Sequence, residues 1–172
     1  MPMTAKIAEV DHGMDIELKV LGAFRGKVVD VGFFEGDRHV GKNGKPDADL
    51  VLIAAANEYG ADIKNGWGRG IHITIPERSF MRSWAIAKQT QISELMESLA
   101  KKVTNKAMDA DLALKTLGVF GMDGIKKQIA APEGVSWPPN ADSTIKRKGS
   151  SHPLIDTGVL RESVRYQVRT PE

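Results

Sequence analysis

Residues 79 to 107, SFMRSWAIAKQTQISELMESLAKKVTNKA, hold neither proline nor glycine. Phe80, Trp84, Ala87, Leu95, Leu99 and Val103 recur at helical spacing, with Ile92 and Met96 beside them. That period predicts one long amphipathic helix. At 1.5 Å per residue it would run roughly 40 Å. Ser79 stands where a helix cap is expected. An apolar stripe of this length has to lie on a sheet or on a second helix. The second helix is predicted at 109 to 131, with Leu114, Leu117, Ile125 and Ile129 as its core stripe. Gly118, Gly121 and Gly124 fall inside it, each costing about 1 kcal/mol relative to alanine in a helix interior. Either their three-residue spacing makes a smooth face for another backbone, or the helix breaks near Gly121. Pro132 ends it.

The rest of the chain supplies shorter elements. MDIELKVLGAF at 14 to 24 fits a short helix through Met14, Leu18 and Leu21, and a strand through Ile16, Leu18 and Val20. KVVDVGFF at 27 to 34 reads as a strand. Residues 35–49 read as a mobile loop without core residues. LVLIAAANEYG at 50 to 60 reads as an apolar helix, capped by Asp49 and closed by Gly60. ADIKNGWGRG reads as a second glycine-rich loop, and IHITI at 71 to 75 as a half-buried strand ended by Pro76. Residues 133–153 read as an extended polar arm, and 154–169 as a closing turn and strand. The fold class this order predicts is α+β, with a small, mainly antiparallel sheet packed with two long helices.

Composition narrows the function classes. The 172 residues suit one domain, 1–172, with residues 1–26 as an N-terminal segment. A hydrophobic fraction of 41% with 27% charged residues is enough to build a packed core. A net charge of +2 is too small for a binder of nucleic acid by bulk charge. With no cysteine, disulfides, thiolate metal sites and cysteine nucleophiles are excluded. His12, His39, His72 and His152 are never three or four residues apart, so no helical metal pair is offered. No cofactor is expected. No apolar run approaches the ~20 residues that span a bilayer, and the N-terminus does not read as a secretory signal.

Three motifs invite a sharper reading. LIDTG at 154 to 158 matches the active-site loop of an aspartic peptidase. That chemistry needs two carboxylates sharing one proton in a β-rich lobe. Here little chain follows Asp156, and long helices precede it. Asp156 is instead expected to accept a backbone hydrogen bond in a turn that Gly158 permits, starting one short helical turn and feeding a strand. GWGRG leads straight into a strand, and no GKS or GKT follows, so it is not a phosphate loop. Lys146, Arg147 and Lys148 form the best patch for polyanions, set against a plain solvated arm. Glu58 reads as a cap or an ion-pair partner.

Four segments in order carry a resemblance. They are VGFF, AAANEYG, IPERSFMRSW and PPNADSTIKRKGSSHPLIDTGVLRESVRYQV, together spanning about residues 28 to 168. The chain resembles the tail-component and tail completion proteins of tailed bacteriophages, grouped with the virion morphogenesis proteins of the head–tail neck. That family's apolar helix ends in Asn-Glu-Phe/Tyr-Gly. A turn of the form Ile-Pro-x-Arg-Pro-Phe follows, then Pro-Pro, Thr-x-x-x-Lys-Gly and Pro-Leu-Ile-Asp-Thr-Gly-x-Leu. Ser79 replaces the usual proline of the turn. The resemblance implies a structural, non-enzymatic virion protein assembled in the host cytoplasm. It implies copies of itself in a ring, with a hexamer favoured. The implied partners are connector, tail terminator or tail tube proteins, with the DNA of the channel or an acidic partner facing Lys146, Arg147 and Lys148, and no membrane. On that reading Pro76 and Ser79 form a structural corner, and Glu58, Glu77, Arg78, Arg82 and Trp137 are candidate interface residues.

Overall fold

The computed structural model describes residues 22, 24–36, 38–40, 46–66 and 70–170. The choice between helix and strand at 14–24 lies almost wholly outside them. The described elements are β1 (Val28–Gly32), β2 (Arg38–Val40), β3 (Pro46–Asp49), α1 (Leu50–Tyr59), β4 (Ala61–Gly66) and β5 (Ile71–Ile75). Then come α2 (Met81–Ala87), α3 (Gln89–Thr104), α4 (Ala110–Ala130), α5 (Asp142–Lys148), α6 (Val159–Glu162) and β6 (Arg165–Arg169). The fold is α+β, and its antiparallel strands form three two-stranded ribbons, β1–β6, β2–β3 and β4–β5.

The hub is α4, on which β1, β6, α2, α3 and α6 all pack. It runs unbroken for 21 residues, with Asp109 accepting from Leu112 N at its start. Its three glycines form the smooth face. A Cβ on Gly118 would lie 2.3 Å from the Tyr166 ring, and one on Gly124 would lie 2.3 Å from the Trp84 indole. A Cβ on Gly121 would lie 3.0 Å from Val31 Cγ2. Val31 and Tyr166 are directly opposite in the β1–β6 ribbon. One cross-strand pair therefore presses into two glycine notches, and α2 drives Trp84 into the third.

Two apolar clusters flank this helix. The larger joins Leu50, Ala54, Phe80, Trp84, Ile125, Ile129, Leu160 and Val164. The smaller joins Leu99, Val103, Ala110 and Ala113, with Phe24 and Leu95 against it. This division explains why the long helix expected over 79–107 is two helices. At Lys88 the backbone turns to φ −105°, ψ 9°. Lys88 N still donates to Trp84 O, and Ile92 N to Lys88 O, at 2.9 and 2.8 Å. The helix bends rather than ends, so Trp84 faces the larger cluster while Leu99 and Val103 face the smaller. Lys88 Nζ reaches Glu133 at 2.9 Å across the bend. Ala87, expected on the buried stripe, and Met96, expected beside it, are exposed.

Three expected loops contain structure. Residues 35–49 include the β2–β3 hairpin, with Arg38 opposite Asp49. In the second glycine-rich stretch, residues 61–66 are β4, because Ala61 and Ile63 find Ile75 and Ile73 across the ribbon. The arm 133–153 is not extended throughout: α5 occupies 142–148 and ends on Gly149 at φ 75°. The closing turn, the short α6 and β6 stand where expected.

The glycine face makes a measurable prediction. In an open helix, glycine to alanine would stabilise by about 1 kcal/mol. Here Gly118→Ala and Gly124→Ala should instead lower the unfolding free energy by about 1–2 kcal/mol net, because overpacking outweighs propensity. Gly121→Ala should be the mildest of the three. Urea denaturation of the three variants checks the order.

Candidate functional site

The α1 sequence LVLIAAANEY carries one charged residue, Glu58. Asp49 caps its start by accepting from Val51 N at 2.8 Å, and Gly60 at φ 74° closes it. Leu50, Ala54 and Glu58 recur every four residues, so the carboxylate rides the buried stripe and is only 4% exposed. It is directed at the start of α2. Oε2 accepts from Phe80 N at 2.8 Å and Met81 N at 2.9 Å. Oε1 accepts from Arg82 N at 2.9 Å and from the Ser79 hydroxyl at 3.1 Å. The first N–H groups of a helix have no partner within the helix. Here a carboxylate from another helix satisfies three of them and opposes the positive end of the helix dipole. The expected Ser79 cap is thus displaced. Phe80 holds the cap position without a side-chain bond, and Ser79 donates to Glu58 instead.

Arg82 covers this knot. Its Nε lies 3.6 Å from Glu58 Oε1, its Nη2 lies 2.5 Å from Glu77 Oε1, and its guanidinium sits over the Tyr59 ring at 5.1 Å. Arg78 anchors the other side and is 5% exposed. Its Nε donates to Pro138 O and its Nη2 to Pro139 O, both at 2.9 Å, and its backbone N donates to Asn57 O at 2.7 Å. Burial pulls its pKa below the ordinary arginine value. Pro138 and Pro139 carry no N–H, but their carbonyls are free acceptors, which suits an arginine fork. Glu58 and Arg78, expected at an interface, are therefore bonded inside their own chain.

The arm is tied down at further points. The buried Gln128 donates to Glu133 O at 3.1 Å and accepts from Glu133 N at 3.1 Å. Asn140 Nδ2 lies 3.2 Å from both Ser151 O and His152 O. Trp137 is half-buried against the larger cluster, with its indole Nε1 unpartnered. Phe33 meets Phe80 edge to face at 6.2 Å. Gln128 was not singled out in the sequence; its only signal is a polar residue beside the apolar Ile129 on a core-facing helix.

The structure separates the other candidates. Lys146 and Arg147 are exposed in the last turn of α5, while Lys148 is half-buried and donates to His152 O at 2.9 Å. Burial lowers the Lys148 pKa; Asp156 opposes that effect, while Arg78 and Arg147 add to it. The three cations do not form one flat patch. Asp156 is exposed, and α6 starts at Gly158 with no side-chain cap. The backbone bond expected of Asp156 is not formed. Gly158 does supply the turn, at φ 83°, and the preceding Leu154 also adopts a positive φ of 60°.

Beside the knot, a cleft of about 500 Å³ opens between α1, β1 and α2, lined chiefly by apolar side chains such as Phe33, Val51, Ala55 and Ala85. Among the described residues, no group of three or more Asp, Glu or His side chains is placed to hold a metal ion. No helix among them is long and apolar enough to cross a membrane. Comparison with protein-family models, curated proteins and solved structures finds no match.

Two substitutions test the knot. Glu58→Gln keeps one acceptor oxygen but turns an amide toward backbone donors, and should cost about 2–3 kcal/mol of stability. Asp49→Ala, which removes an ordinary cap, should cost about 1 kcal/mol. Denaturation curves that rank Asp49→Ala above Glu58→Gln would contradict the assignment. Arg78→Lys should leave the helices folded by circular dichroism but speed limited proteolysis within 133–153.

Proposed function

We propose that this chain is a structural protein of a tailed-bacteriophage virion, a tail completion component of the head–tail neck that assembles as a ring. One observation carries this reading beyond the resemblance itself. The four segments that bear the resemblance meet at one place. AAANEYG supplies Glu58, IPERSFMRSW supplies the helix start that it caps, PPNAD supplies the carbonyls that hold Arg78, and VGFF supplies Phe33 against Phe80. Residues scattered from Phe33 to Pro139 thus act as one structural unit, and their chemistry is that of joining segments. The Glu58 carboxylate spends both oxygens on fixed donors. A nucleophile or general base needs an oxygen free to meet substrate.

Two other readings have weaker support. The peptidase reading rests on Asp156, which stands in a turn entering a four-residue helix rather than in a β-lobe. The polyanion reading rests on Lys146 and Arg147, exposed but without Lys148 beside them as an equal partner.

The test is genetic and visual. Phage lacking this chain should accumulate filled heads and separate tails, and added purified protein should join them. Antibody labelling should mark the head–tail junction. Joined, infectious particles without the chain would overturn the proposal. So would cleavage of a peptide library at acid pH that Asp156→Asn abolishes.

A further inference from the structure

From Ala131 to Val159 no residue is buried. Within that run, Trp137 alone reaches the larger apolar cluster before Leu154 does. The helix in it, α5, packs closely on no other helix or strand. Yet both ends of the arm are fixed. At the near end, Glu133 exchanges two backbone bonds with the Gln128 amide, and its carboxylate meets Lys88 Nζ at 2.9 Å. At the far end, Leu154 and Ile155 pack against the larger cluster. Leu154 stands at φ 60°, a conformation that a leucine keeps only where its surroundings enforce it.

What lies between the ends is bonded chiefly to itself. Asn140 Nδ2 reaches Ser151 O and His152 O, and Lys148 Nζ donates to the same His152 carbonyl. These bonds close residues 140–152 into a compact lobe around α5, with its two ends together. Two contacts latch the arm to the body. They are the Arg78 fork on Pro138 O and Pro139 O, and the Trp137 ring on the apolar cluster. Each carries a desolvation cost. Arg78 is 5% exposed, and its acceptors in the arm are uncharged carbonyls. Trp137 Nε1 is buried with no acceptor at all. Just past Glu133 the chain is free to turn, because Gly134 stands at φ 74° with nothing within 4 Å of a Cβ position.

We infer that residues 135–152 form a strap that lifts as one body, hinged at Gly134 and just before Leu154, while the rest of the fold stays intact. The Arg78 fork and the Trp137 ring are its latch. Lifting gives up two hydrogen bonds and one apolar contact. It also returns a guanidinium and an indole N–H to water, which offsets part of that loss. Glu58 keeps its bonds, because its donors all lie in residues 79–82. The lifted state therefore bares the Arg78 fork beside an unchanged corner. This motion is independent of the virion reading.

Native-state hydrogen exchange on the whole protein, over a series of urea concentrations below the unfolding transition, reads this motion. Amides from Asn140 to His152 should share one opening equilibrium with a shallow urea dependence, because lifting exposes little surface. Amides in the middle of α4 should open far more rarely and with a steep dependence. Arg78→Lys loses the fork. It should speed exchange at Asn140 and throughout α5 by one common factor of roughly tenfold, although Arg78 bonds no residue of α5. Trp137→Ala should do the same through the other half of the latch, and it serves if Arg78→Lys does not fold. Amides of α5 that follow the urea dependence of α4 would show that the arm opens only with the whole fold, and would overturn the inference. So would variants that change exchange at Asn140 and leave α5 untouched, since the arm would then fray residue by residue.

Discussion

The carboxylate of Glu58 is the contact on which the described architecture turns. A buried carboxylate is costly unless donors surround it. Here four donors do, and they come from the segment that begins α2. The arrangement fixes the start of α2 on α1, beside the apolar cluster that Leu50, Ala54, Phe80 and Trp84 share. Once α2 is set, Trp84 is aimed at Gly124, and the backbone beside Arg78 is placed to receive the proline carbonyls of the arm. Removing the charge would loosen a helix start, a corner and an arm together.

Several parts of this fold are legible in the sequence. Asp49, Gly60 and the apolar run between them define α1, because caps act locally. The alternation in IHITI gives β5, and Pro76 gives its end. Gly158 gives the last turn. These features depend on neighbours in sequence. The bend at Lys88 does not. No residue there breaks a helix, and only the division of the core into two clusters requires a change of face. β2, β3 and β4 were hidden because strands of three to six mostly polar and small residues carry a weak signal until their partners are known. The glycine spacing left a smooth face and a break equally open, and only Val31, Tyr166 and Trp84 decide between them.

The knot was half legible. Glu58 was readable as a cap, but not as the cap of a helix more than twenty residues away. Ser79 has the right chemistry for a local cap, yet its hydroxyl serves the carboxylate instead. Arg78 reads as a surface cation in a turn. It is buried because two consecutive proline carbonyls, sixty residues on, match its fork. Asp156 shows the opposite error, since a short motif suggested a bond that its exposed side chain does not make.

The pairing of β1 with β6 has a consequence for timing. Val28 lies opposite Arg169, so the ribbon that fills two notches of α4 joins distant parts of the chain. Contacts at such separation form late and slowly. During synthesis, α4 emerges with its glycine face bare and stays so until the residues after α6 leave the ribosome. The surface that orders the body is thus finished by its last strand. A nascent chain lacking β6 therefore has no complete body from which to present the cleft.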